Sequence, residues 1–249
     1  MKEKTSVDST NRWSLEQQRK FWNMWDARYL QEATLGEQAM RRGDIAVMLV
    51  RECGVESPRI LELGCGNGWL AESLCQLGKV TGVDISDGAI ADARERMPNG
   101  EFLVGDALSI DLPSSSFDIL VALELFSHLA SQKQFIERAV QWLKGGGYLI
   151  LMTQNRTVYE RRSDIDPPAE GQHRKWVTMA KLEAMLQPHF CLRKATTLQP
   201  SGNLGFLRIV NSNFVTRLAT VCMSRHSLDQ LKERCGLGQT LVVLAQKRT

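Results

Sequence analysis

Three alternating glycines, Gly64, Gly66 and Gly68, break an apolar run, and Asp84 follows twenty residues after the first of them. Glycine permits sharp turns and close backbone approach that a Cβ would block, and the start of the next helix offers free N–H groups to a ligand. A carboxylate closing the next strand can accept both hydroxyls of a ribose. Together these residues predict a nucleoside-binding loop. The spacing alone does not separate a nucleoside from a dinucleotide. The third glycine, however, comes one residue early for the dinucleotide fingerprint, with Trp69 in its place, which argues against a pyrophosphate. A second chemical candidate is His128, within Leu123-Glu124-Leu125-Phe126-Ser127-His128-Leu129. Histidine is the side chain most readily poised to take a proton near neutral pH, and the bland alternative is that His128 caps or packs the next helix.

The elements that must position these residues alternate. Periodicity predicts strand 59–63, helix 68–77, strand 79–84, helix 87–97, strands 101–105 and 117–122, helix 131–143 and strand 147–153. A helix from Lys175 to Leu186, a strand over 190–198 and a last strand over 239–246 follow. The pattern implies an α/β fold with a doubly wound, mainly parallel sheet and helices on both faces. Ligands in such sheets lie beyond the carboxyl ends of the strands, near the point where strand order reverses. Loops 64–68, 84–87, 105–107, 123–129 and 153–160 are therefore expected to converge on one crevice.

The remaining segments are additions to that single domain, 13–249. Residues 1–12 have disordered composition. From Ser14 an amphipathic helix carries Phe21, Trp25 and Tyr29 on one stripe; it either packs on the sheet or forms, with a second helix over 44–53, a lid that excludes water. The proline-broken stretch 154–171 reads as a functional or disordered loop. The insertion 200–236 looks helical, with five Lys/Arg against two Asp/Glu. It either packs as an ordinary amphipathic segment or roofs the crevice with its apolar face. In the second case Arg208, Arg217 and Arg225 could hold a carboxylate or phosphate of the acceptor, or rest on anionic lipid in a peripheral membrane contact through 200–225.

In five places at family spacing the chain resembles the class I S-adenosylmethionine-dependent methyltransferases. They are Glu62-Leu63-Gly64-Cys65-Gly66-Asn67-Gly68, Val83-Asp84-Ile85-Ser86, Val104-Gly105-Asp106-Ala107, Phe117-Asp118-Ile119-Leu120-Val121 and Leu143-Lys144-Gly145-Gly146-Gly147. The resemblance implies a seven-stranded sheet with its last strand antiparallel. It also implies that Glu62 and the loop Gly64-Cys65-Gly66-Asn67-Gly68 hold the methionine end of S-adenosylmethionine, Asp84 with Ile85 the ribose, and Asp106 with Ala107 the adenine, with Leu123 completing the cofactor set. In resembling enzymes a segment like Trp25-Asp26-Ala27-Arg28-Tyr29 borders that site. The 123–129 segment, with Asn155-Arg156-Thr157 and His173-Arg174-Lys175-Trp176, is similar to the ubiquinone-pathway O-methyltransferase branch. That branch has Glu-x-x-Glu-His where this chain has Glu124-x-x-Ser127-His128. Loss of a carboxylate removes an oxygen ligand that a hard divalent cation wants, so no metal is predicted.

Composition agrees with small-molecule chemistry. A net charge of +3 over 249 residues is too small for the basic face of a nucleic-acid binder. The six cysteines show no metal or disulfide spacing, and the start of the chain is polar, which points to a cytosolic protein. Methyl transfer draws most of its rate from positioning in a dry pocket. His128 is the candidate base for a hydroxyl acceptor. Two competing readings use the same topology: a nicotinamide-dependent oxidoreductase, and a non-catalytic cofactor-binding partner subunit.

Overall fold

In the computed structural model, residues 14–31, 36–169 and 172–249 are described, with side chains throughout except at 25–31. Numbered in chain order, the elements are α1 (Leu15–Gln31), α2 (Glu37–Glu52), β1 (Arg59–Leu63), α3 (Trp69–Leu74), β2 (Lys79–Asp84), α4 (Asp87–Arg96), β3 (Glu101–Val104) and β4 (Phe117–Leu123). There follow α5 (Gln132–Trp142), β5 (Leu143–Gln154), α6 (Arg156–Tyr159), α7 (Met179–Leu186), β6 (Phe190–Pro200), α8 (Phe206–Val210), α9 (Asn213–Ala219), α10 (Arg225–Arg234) and β7 (Gly238–Lys247).

Alternation of side chains along the strands builds two cores, one on each face of the sheet. Ile60, Ile119, Val121, Ile150 and Met152 pack with Ala46 and Leu49 of α2, Leu70 and Leu74 of α3 and Ile90 of α4. Leu61, Leu63, Leu120, Leu149 and Leu151 pack on the opposite face with Phe135 and Trp142 of α5 and Leu182 and Leu186 of α7. Because both faces are covered, the central strands read as unbroken apolar runs rather than as alternating ones.

The strand order is β3-β2-β1-β4-β5-β7-β6, and β7 runs antiparallel to both neighbours. The seven-stranded, mainly parallel sheet with an antiparallel last strand therefore matches the expectation. Order reverses between β1 and β4, so the ends of β1, β2, β3, β4 and β5 bring their following loops to one rim.

Several boundaries differ from expectation. The helix expected over 175–186 starts at Met179, because Val177 bridges Asn155 in an extended stretch and Thr178 caps the helix, its Oγ1 accepting from Lys181 N at 3.3 Å. β5 begins at Leu143 rather than at 147, since Leu143 already pairs with Phe117 across a register shift. α2 starts at Glu37, before the expected Asp44. The insertion is three helices instead of one, broken at Asn211-Ser212 and again before α10. No described helix is long and apolar enough to cross a membrane.

Candidate functional site

The glycine loop is set by its backbone. Gly64, Gly66 and Gly68 take φ values of 73°, 53° and 76°, where a side chain is strained. A Cβ on Gly64 would stand 3.2 Å from Leu125 and one on Gly68 3.2 Å from Ala93, whereas one on Gly66 would meet nothing within 4 Å. The loop is tight against protein at Gly64 and Gly68, and open at Gly66. Asp84 fastens this loop to the end of β2: its Oδ2 accepts from Gly66 N at 2.9 Å and its Oδ1 from Ser86 N at 2.9 Å. The N–H of Ile85 also bonds this carboxyl, so of its roughly four lone-pair directions about one stays open to a hydroxyl. Burial pushes the Asp84 carboxyl up from its ordinary value, and the N–H groups of Ser86, Gly66 and Ile85 oppose that shift.

Glu62 lies beneath the loop, 4% exposed, with Oε2 buried and unbonded. Desolvation, and then the nearby charge of Asp84, push its carboxyl up to about 8. A buried acid in this state suits a cationic ligand group, which would restore the charged form. Asp106 caps the turn after β3: its Oδ1 accepts from Leu108 N at 3.1 Å and its Oδ2 from Ser109 Oγ at 2.9 Å. Ala107 is buried beside it, Cys65 is buried under the loop, and Asn67, Ile85 and Leu123 are half-buried at the strand ends. The rim thus gathers all the residues expected to surround the cofactor.

The loop after β4 forms the other wall. Phe126–His128 is one turn of 3₁₀ helix, and the segment 173–175 lies along it, Lys175 N donating to the Ser127 carbonyl at 2.8 Å. Nδ1 of His128 is 3.2 Å from the His173 carbonyl oxygen, a contact that makes Nδ1 the donor and leaves Nε2 as the acceptor nitrogen. Burial, with Arg174 and His173 adding to it, lowers His128 to about 4 against the opposing contact with the His173 carbonyl, so the ring is neutral at neutral pH. Ser127 donates to Gln154 Oε1, and Gln154 Nε2 donates to Glu124. Glu124, at the end of β4 with φ 57°, also faces Arg42 of α2 at 3.9 Å. Gln154 therefore links Glu124 to Ser127, the position where the ubiquinone-pathway branch has its second carboxylate. The sequence carried no signal for Gln154 or Arg42.

Helix α1 bridges the two walls. Asn23 Nδ2 donates to Asp87 at 2.6 Å, Ser86 Oγ donates to Asn23 Oδ1 at 2.7 Å, and the Trp22 ring meets His128 edge-on at 5.0 Å. The side chains of Trp25 and Tyr29, on which the aromatic-stripe expectation partly rested, lie outside the described residues.

A family profile described as "Methyltransferase domain" matches residues 61–151, the strands and loops that carry this rim. The "Ubiquinone biosynthesis O-methyltransferase" of Azorhizobium caulinodans is 30% identical, over 64% of this chain and 72% of its own length. The chain belongs to the S-adenosylmethionine-dependent methyltransferases. A Mycolicibacterium smegmatis protein named "Probable S-adenosylmethionine-dependent methyltransferase" is 29% identical over 51% of this chain and 49% of its own length, so the chain spans about half the length of that curated relative. Among solved structures, the N-methyltransferase NodS of Bradyrhizobium japonicum in complex with S-adenosylhomocysteine shares the fold with a TM-score of 0.58 and 16% identity, over 85% of this chain and 88% of that one.

The residues present fit the methyltransferase cofactor. The unbonded Glu62 oxygen suits its cationic end, the open space at Gly66 admits it, and the strand-end Asp84 carboxyl, with an acceptor direction left, suits a ribose hydroxyl. A first consequence concerns pH. If Glu62 must lose a proton to receive a cation, affinity for S-adenosylmethionine is expected to rise with pH up to about 8, by up to about tenfold per unit. Titration calorimetry in buffers of different ionisation heat would show the released proton, and Glu62→Gln should flatten the profile. A second consequence concerns α1. Asn23→Ala removes the two hydrogen bonds to the Ser86-Asp87 wall and should raise the cofactor dissociation rate by up to about thirtyfold, at about 1 kcal/mol for each bond. An unchanged rate by stopped flow would leave α1 as packing only.

Proposed function

We propose that this methyltransferase moves the methyl group of S-adenosylmethionine to an oxygen or nitrogen of a small, partly apolar acceptor, with His128 as the base. The observation that carries the reading is that His128, held through Nδ1 so that Nε2 is left as the acceptor nitrogen, lies in the loop after β4 whose Leu125 stands against Gly64. The cofactor supplies an electrophilic methyl on sulfur. With the cofactor bound, the methyl would be exchanged for the acceptor's proton, and Nε2 of His128 would take that proton. Trp22 packs edge-on against the imidazole and fixes its orientation, and most of the rate comes from holding the partners in line. Glu62, the 64–68 loop, Asp84, Ile85, Asp106, Ala107 and Leu123 bind and orient.

Family membership and the early third glycine speak against the nicotinamide reading; calorimetric titration with S-adenosylmethionine and NADH compares the two directly. Against the partner-subunit reading, the test is release of S-adenosylhomocysteine with panels of phenols, alcohols and amines. Turnover on hydroxyl compounds that rises with acceptor hydrophobicity is expected. Cofactor binding without turnover on any panel would return the chain to a binding role.

A further inference from the structure

Helix α9 has no buried residue at all. Its apolar stripe, Phe214 and Leu218 one turn apart, stands 76% and 65% exposed, and Val221 and Ile209 continue it at 81% and 67%. Seven of the thirteen exposed large apolar side chains among the described residues lie between 204 and 223. Single exposed apolar residues are ordinary, but a cluster marks an interaction surface. Of the two readings of this segment, packing of the stripe on the sheet is therefore corrected for α9. Three short helices cannot each turn a stripe to the sheet, and only Leu207 of α8 and Leu228, Lys232 and Glu233 of α10 are buried.

Charge decides what covers the face. From Gly202 to His226 there are three arginines, Arg208, Arg217 and Arg225, and no Asp or Glu. A second copy docked through the same face by a twofold axis would set these arginines against their own copies, an arrangement disfavoured by like-charge repulsion. An anionic lipid surface satisfies both parts of the patch, because the apolar side chains enter the headgroup–acyl boundary while the guanidinium groups stay at the phosphates. We propose that segment 202–226 docks the protein on an anionic membrane surface.

The patch adjoins the segment that follows β5 at the rim. The Arg161 guanidinium lies 5.2 Å from the Phe206 ring centroid, and the N–H groups of Asn203 and Leu204 donate to the Arg161 carbonyl just after α6. The docked crevice would thus open beside the bilayer, and the acceptor would be a lipid-soluble molecule. This last step rests on the methyl-transfer reading, whereas the docking does not.

The experiment is co-sedimentation of the full chain with phosphatidylcholine vesicles, with and without phosphatidylglycerol, in the absence of cofactor and acceptor. Binding is expected only with phosphatidylglycerol and should weaken with salt. Phe214→Glu with Leu218→Glu should lower partitioning at least about tenfold. Each of Arg208→Gln, Arg217→Gln and Arg225→Gln should lower it about fivefold. All of these side chains lie outside the core, so thermal stability and S-adenosylmethionine affinity should not move, and that check separates failure of docking from failure of the cofactor reading. Equal partitioning of wild type and variants, or no binding of wild type to anionic vesicles, would overturn the proposal. So would concentration-dependent self-association abolished by the Phe214 and Leu218 substitutions, which would assign the face to a second copy.

Discussion

Asp84→Ala should weaken S-adenosylmethionine binding by about ten- to a hundredfold, the loss of a hydrogen-bonding charged acceptor at about 1.5–3 kcal/mol. Two effects add in the same direction. The ribose hydroxyls lose their acceptor, and the loop loses the carboxylate that holds Gly66 N and Ser86 N, so Gly66 no longer sits where its open face meets the ligand. Asp84→Asn keeps one acceptor oxygen and should fall between alanine and wild type. The fold should survive both changes, because the strand pairing of β2 with β1 and β3 does not pass through this side chain. Calorimetric titration gives the affinity, and an affinity unchanged in the alanine variant would remove Asp84 from the ribose site.

His128→Ala should lower turnover on a hydroxyl acceptor at least about a hundredfold while the cofactor affinity moves little. The pH profile adds a readout that a packing role would not give. Because His128 is lowered to about 4, it is neutral and able to accept a proton throughout the physiological range, so the wild-type rate should show no histidine limb between pH 6 and 7. The sign for stability follows from the same shift. The group is neutral in the folded chain and titrates near 6.5 in the unfolded one, so it contributes stability above about 6.5 that is lost as pH falls toward 4. The alanine variant should lose that acid-side dependence. Full turnover in the variant would return His128 to packing against Trp22 and would favour an amine acceptor.

What the sequence made legible follows from how local each signal is. The three glycines at positive φ, the strand before them and the acid closing β2 are local demands of turn and strand chemistry, and each stands where its pattern pointed. The sheet order follows from short crossovers between buried strands. Contacts between distant segments left no periodicity to read: Asn23 meets Ser86 and Asp87 across more than sixty positions, and Gln154 meets Glu124 across thirty. The insertion was legible as helical and basic. Its outward face was not, because an amphipathic stripe carries the same pattern whether protein, lipid or another copy covers it. The helix start at Met179 was missed because a bridge to Asn155, a tertiary contact, holds Val177 extended.

The most direct test is to incubate the protein with methyl-labelled S-adenosylmethionine and a fractionated host metabolite extract, and to follow the label. The account predicts label in a small, organic-extractable product, reduced with Asp84→Ala at limiting S-adenosylmethionine and sharply reduced with His128→Ala. Label that never leaves the cofactor in any fraction, while calorimetry shows S-adenosylmethionine bound, would contradict it.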